Sequence, residues 1–145
     1  MALLSNLEII CCLLMTGVIW VIQLVHYPTF HFVNPSLFIE FVNFHAGRIS
    51  LIVTPLMVME LGAASVLVWS NHTSTARMAG LLLLIAIWLA TFMLSVPCHS
   101  QLLKGYNAAI TDKLIATNWI RTLGWSLRTA ILLFPFLRNF ASKLM

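Results

Sequence analysis

Three imidazoles at the ends of three apolar segments are the strongest chemical signal in this chain: His26, His45 and His99. Neutral imidazole ligates Zn, Cu, Fe and Ni, so three rings converging from three helices would suit a transition metal or a haem iron. Water, Tyr27, Asn118, Cys98 or a substrate would complete the coordination. The alternative for each ring is a hydrogen bond within a polar cluster at a membrane interface. His31 and His72 fall in expected loops and read as solvated.

A second signal is a stripe. Asn118, Arg121, Thr122, Trp125 and Arg128 recur at spacings of three and four, which places them along one face of a helix. Thr16, Trp20 and Gln23 precede His26, Arg48 and Glu60 follow His45, and Thr91 and Ser95 precede His99. Glu60 and Arg128 each lie near the middle of an apolar segment, and an ion pair makes both tolerable. The functional alternative for Glu60 is a proton-accepting carboxylate, which makes Glu60 and Arg121 the catalytic candidates. With Glu60 set against Arg48, Arg121 and Arg128, positive charge remains in excess. Haem propionates, a lipid phosphate, a carboxylate substrate or a quinone-like oxygen would balance it, since arginine grips planar anions through its fork of donors. Snorkelling of Arg48 and Arg121 to the headgroup layer is the competing explanation.

These residues need elements to carry them, and composition says which kind. Of 145 residues, 61% are hydrophobic and 8% charged, and the mean hydropathy is +0.97. A soluble domain of this length has no interior large enough for that much apolar surface. A span takes about 20 largely apolar residues, and four segments qualify: 9–27, 46–69, 78–96 and 114–137. The expectation is an all-α, single-domain membrane protein, a four-helix bundle running up-down-up-down. In that topology His26, His45, His99 and Asn118 share one end. Ionisable groups within spans cost about 2.5–3.5 kcal/mol each at the centre on insertion scales, so they belong inside such a bundle with partners.

Punctuation of the segments is readable too. Pro28 is expected to end the first span and Pro97 the third. Asn34-Pro35 reads as a cap followed by proline at the first helical position, opening an interfacial Phe-rich turn from Phe38 to Phe44. Pro55 should kink the second span, and Asn71–Thr75 closes the following turn. Residues 101–113 form the longest polar connection. Trp20, Trp88 and Trp119 read as packing or interface anchors, Trp125 as a pocket wall, and the seven methionines as packing. Three cysteines, two of them the adjacent Cys11 and Cys12, make no disulfide framework.

The N-terminus has neither a basic flank nor a small-residue cleavage site, so the first apolar stretch is expected to stay. Arg77, Arg138, Lys143 and the terminal amine oppose Lys104 and Lys113, and this imbalance leans towards cytoplasmic termini. Asn71-His72-Thr73 is then simply a polar turn. The net charge of +4 is modest and scattered, which excludes nucleic acid as the main partner.

The blocks Gln23-x-x-His26-Tyr27-Pro28, Phe44-His45-x-x-Arg48-Ile49, Pro55-x-Met57-x-x-Glu60, Val96-Pro97-x-His99 and Asn118-Trp119-Ile120-Arg121-Thr122 with Trp125 and Arg128 span the chain. In combination they resemble a group of small, uncharacterised four-span bacterial membrane proteins. That resemblance implies an inner-membrane location and carries no activity with it. A looser likeness to four-span oxygenases and haem-binding bundles is one of architecture, which does not fix function.

The leading expectation is a metal- or haem-dependent membrane oxidoreductase acting on a lipophilic substrate. His26, His45 and His99 would hold Fe, Cu, Zn or haem iron. Gln23, Tyr27, Arg48, Asn118, Arg121, Trp125 and Arg128 would line the cofactor and substrate site. A zinc hydrolase would need a general base at the same level, and Glu40 is the nearest carboxylate. The second expectation is a non-catalytic subunit or a lipid- or cofactor-binding module of a larger membrane complex or homo-oligomer. The third, a small-anion transporter, would require oligomerisation.

Overall fold

The computed structural model describes residues 1–71 and 73–144, and the described residues form helices joined by short turns, without a strand. Four long helices make up the fold: α1 (Ala2–Phe32), α2 (Pro35–Ser70), α3 (Thr75–Leu102) and α4 (Ala108–Leu144). The first three have 31, 36 and 28 residues with best-window hydropathies of 2.2, 2.0 and 2.4, long and apolar enough to cross a bilayer. The fourth has the length but a weaker apolar signal, because its polar stripe dilutes the segment expected to span at 114–137. Helix α1 packs on α2 and α4, and α3 packs on α2 and α4, so the four enclose a common core.

Local chemistry sets the boundaries. The Asn34 side chain accepts from the Ser36 N–H at 3.0 Å and caps α2 as expected. Ser74 accepts from the Arg77 N–H ahead of α3, and Asn107 accepts from the Ile110 N–H at 3.1 Å ahead of α4. Gly105, at φ 140°, turns the chain between α3 and α4 in a conformation that side chains resist.

Two prolines behave differently from expectation. Pro28 and Pro97 do not end their helices, which run on to Phe32 and Leu102. Each is preceded instead by a π-helical turn, Ile22–His26 and Thr91–Ser95. The Tyr27 N–H reaches Ile22 O, and the Val96 N–H reaches Thr91 O. Proline lacks an N–H and crowds the carbonyl four residues back, and a widened turn absorbs both problems without breaking the helix. Pro55 also lies inside a continuous helix.

Beside an apolar core, burial departs from that of a water-soluble fold. Gln23, Glu60, Asn118, Arg121, Thr122 and Arg128 are buried, whereas Leu13, Val25, Leu51, Leu82, Met93 and Leu127 are exposed. Small residues allow the polar interior to close. A Cβ on Gly124 would sit 2.8 Å from Ile87 Cγ1, so α4 approaches α3 there more closely than any side chain permits.

Candidate site between α2 and α3

The three sequence-marked imidazoles do meet. The His26 and His45 rings stack with centroids 3.8 Å apart, and His99 lies 5.9 Å from His45. Phe30 and Phe41 frame the stack, while the Tyr27 hydroxyl bonds His99 Nε2 at 3.0 Å. Nε2 of His26, Nε2 of His45 and Nδ1 of His99 are buried without partners. Among the described residues, however, no group of three His, Cys, Asp or Glu side chains is placed to hold a metal ion. The stacking explains this: imidazole lone pairs lie in the ring plane, so face-to-face rings direct them alongside one another instead of towards one point.

The helix-4 stripe faces the interior and divides into two environments. At the lower one, Arg128 Nε donates to Glu60 Oε1 at 2.7 Å and Nη2 to Glu8 Oε1 at 2.6 Å. Its Nη1 donates to the Gly80 carbonyl. The other Glu60 oxygen accepts from Trp125 Nε1 at 3.1 Å. Glu60 and Arg128 are both fully buried, so the expected ion pair exists and Glu60 has both oxygens engaged. Glu8 is the partner that sequence reading missed. It precedes the segment drawn at 9–27, and it enters the core because the helix already begins at Ala2.

Two turns earlier, Arg121 has only neutral company. Nη1 donates to Asn118 Oδ1 at 3.1 Å and to Ser95 Oγ at 3.3 Å. The guanidinium lies 5.5 Å from the Trp125 ring centroid, and Tyr27 faces it. Asn118 is held in turn by Gln23, to which its amide donates at 2.8 Å, and the Gln23 amide donates to Ile115 O. Arg121 is 5% exposed, and its Nε has no partner.

Arg121 also lines a chamber of about 300 Å³ between α2 and α3. Its polar end comprises Arg121, Tyr27, His99 and Ser95, and its remaining wall is largely apolar, with Val53, Met57, Trp88 and Phe92. Trp88, assigned to packing from sequence, lines the chamber with Nε1 buried and unpartnered. Both π-helical turns contribute lining: Ile22 from the first, and Thr91, Phe92 and Ser95 from the second. A π turn shifts the side chains after it around the helix, which is how Tyr27 and His99 come to face one another.

Other candidates fall elsewhere. Arg48 is exposed, its guanidinium 5.4 Å from the Phe44 ring centroid. Glu40 is exposed at the start of α2. His31 is not simply solvated: Nε2 meets Asp112 Oδ1 at 3.0 Å, and Nδ1 meets the Tyr106 hydroxyl at 3.0 Å. This strap ties the end of α1 to α4 and its preceding loop. His72 and the centre of its sequon lie outside the described residues.

No protein-family model matches the chain, and neither a curated protein nor a solved structure does.

Proposed function

We propose that this chain is a multi-pass protein of a bacterial inner membrane, an up-down-up-down four-helix bundle with both termini cytoplasmic, and that it binds a lipophilic molecule in the chamber between α2 and α3. The burial pattern supports membrane insertion, because many apolar side chains outside and paired charges inside suit a lipid solvent. The fourth helix spans with the others by turning its polar stripe inward.

The observation that carries the binding reading is a set of buried polar atoms without partners around one apolar chamber. Arg121 Nε, His99 Nδ1 and Trp88 Nε1 all belong to residues lining it. An unsatisfied buried donor costs about 1–3 kcal/mol, more when charged, and a ligand with an oxygen-bearing head relieves several such costs together. A small, mostly apolar cleft with a few convergent polar groups is also the usual form of a ligand site. The test is solvent extraction and mass spectrometry of the detergent-purified protein. A lipophile near one per chain is expected, and it should be lost when Val53→Trp fills the chamber. Equal loading of both proteins rejects the reading.

A second reading, an oxidoreductase using a transition metal or haem, is favoured by the unpartnered nitrogens of His26, His45 and His99. It requires the His26–His45 stack to open, since the stacked rings do not converge. Metal analysis and an absorption spectrum test it: metal lost on His45→Ala supports it, and metal-free protein without a Soret band rejects it.

A further inference from the structure

We infer that the chamber's occupant is a single-chain amphiphile with a carboxylate head, such as a free fatty acid, entering sideways from the bilayer; this rests on the binding reading above. The sequence has only four acidic residues, and their placement leaves Arg121 without a counter-charge. Glu8 and Glu60 both serve Arg128. Asp112 serves His31, and Glu40 is exposed at the start of α2. A guanidinium stays charged at any physiological pH, and isolating one in an apolar interior costs several kcal/mol. An anion from outside the chain supplies what the chain lacks.

The hydrogen bonding of Arg121 narrows the anion. Nη1 is occupied by Ser95 and Asn118 and Tyr27 also faces the guanidinium, whereas Nε has no partner in a residue that lines the chamber. A planar carboxylate accepts from the Nε edge of a guanidinium in the side-on geometry that arginine prefers. One cation calls for one negative charge, which a carboxylate carries and a phosphomonoester exceeds. Tyr27 and His99 stand beside the head position. Below it the wall turns to Val53, Met57 and Phe92, which suits an alkyl chain.

Depth and volume argue against a phospholipid. With the span beginning at Leu114 as the sequence predicts, Arg121 lies about 10 Å further along α4 at the rise of an α-helix, deeper than a headgroup phosphate at that boundary. A chamber of about 300 Å³ holds a head and part of one chain, at the small end of ligand cavities. The space lies between α2 and α3, whose outer faces carry exposed Ile52, Leu89 and Phe92. A fatty acid can slide in from the side while its tail end stays among the lipids.

The experiment uses the full chain, delipidated in detergent, with tritiated palmitate as probe and three unlabelled competitors: methyl palmitate, an isoprenoid quinone and phosphatidylglycerol. Palmitate should bind saturably near one per chain, with methyl palmitate weaker by about ten- to a hundredfold, the value of a charge-assisted bond. Arg121→Gln should lower palmitate affinity to that of the ester. The acid-to-ester comparison on the native chain keeps the test valid should the variant fold poorly. Equal affinities for acid and ester, with Val53→Trp still blocking both, overturn the carboxylate inference and leave the chamber reading standing. Competition by the quinone or by phosphatidylglycerol equal to that of palmitate overturns it likewise. Binding indifferent to Val53→Trp for every lipophile overturns both.

Discussion

Arg121 and Arg128 stand two turns apart on the same face of the same helix, yet they have opposite surroundings. Arg128 has a carboxylate on each side and a carbonyl at its third position. Arg121 has an amide, a hydroxyl and an indole face, with Nε bare. Burial is nearly the same for both, so burial does not separate the structural cation from the ligand-binding one. The separation comes from whether the protein provides the counter-charge. Trp125 joins the two regions, bonding Glu60 through its N–H and meeting Arg121 with its ring.

The largest effect expected from breaking this contrast lies at the saturated arginine. Glu60→Gln leaves Arg128 partly uncompensated and should cost about 3–5 kcal/mol, as removal of one partner from a buried pair does. Thermal or denaturant unfolding in detergent measures it, and a loss under about 1 kcal/mol would mean the triad is not what holds α2, α4 and α1 together. The same change at Arg121 should act through the ligand. At a palmitate concentration near a hundred times Kd, the native chain gains about 2.7 kcal/mol by mass action. Arg121→Met should lose that gain while the ligand-free protein keeps its midpoint to within about 1 kcal/mol, because an uncompensated cation has been removed. If the ligand-free protein falls as far as Glu60→Gln, the two arginines are alike and the contrast fails.

A smaller test concerns the room Arg128 has. A Cβ on Gly80 would lie 3.1 Å from Arg128 Nη1, and the two carboxylates leave the guanidinium little freedom to retreat. Gly80→Ala should cost about 1–2 kcal/mol, within the usual overpacking range, without changing palmitate affinity; altered affinity would couple the regions. The smallest effect belongs to the exposed strap. Asp112→Asn removes the partner of His31 at a site 70% exposed and should cost about 0–1 kcal/mol, with binding unchanged.

Several of these features are legible along the chain. The stripe at spacings of three and four identifies Asn118, Arg121 and Arg128 as inward-facing, and mid-span Glu60 identifies its own partner, because periodicity and the cost of charge in lipid are local rules. Glu8 is not legible in this way, because it lies one residue before the apolar segment 9–27 and hydropathy assigns it no partner. Arg48 and Arg121 both admit a snorkelling reading in sequence, and only Arg121 belongs to a polar stripe. Arg48 reaches out over Phe44, whereas Arg121 turns in towards Asn118 and Ser95. Trp88 reads as packing because an indole in an apolar run usually is. The strap formed by His31, Tyr106 and Asp112 joins residues about 75 positions apart, a separation at which spacing carries no information.

Residue order alone determined the all-helical character, the apolar segments, the caps at Asn34 and the polar stripe, since each depends on neighbours within a turn or two. The packed arrangement decided three other matters. It turned the π-helical segments before Pro28 and Pro97 into devices that bring Tyr27 to His99, stacked His26 on His45 in place of a converging metal site, and distributed the few carboxylates. That last step is a matter of supply: four acids serve the whole chain, so each one placed near Arg128 is withheld from Arg121. Long-range geometry settles such an allocation, because electrostatic pairing depends on distance in space and not along the backbone.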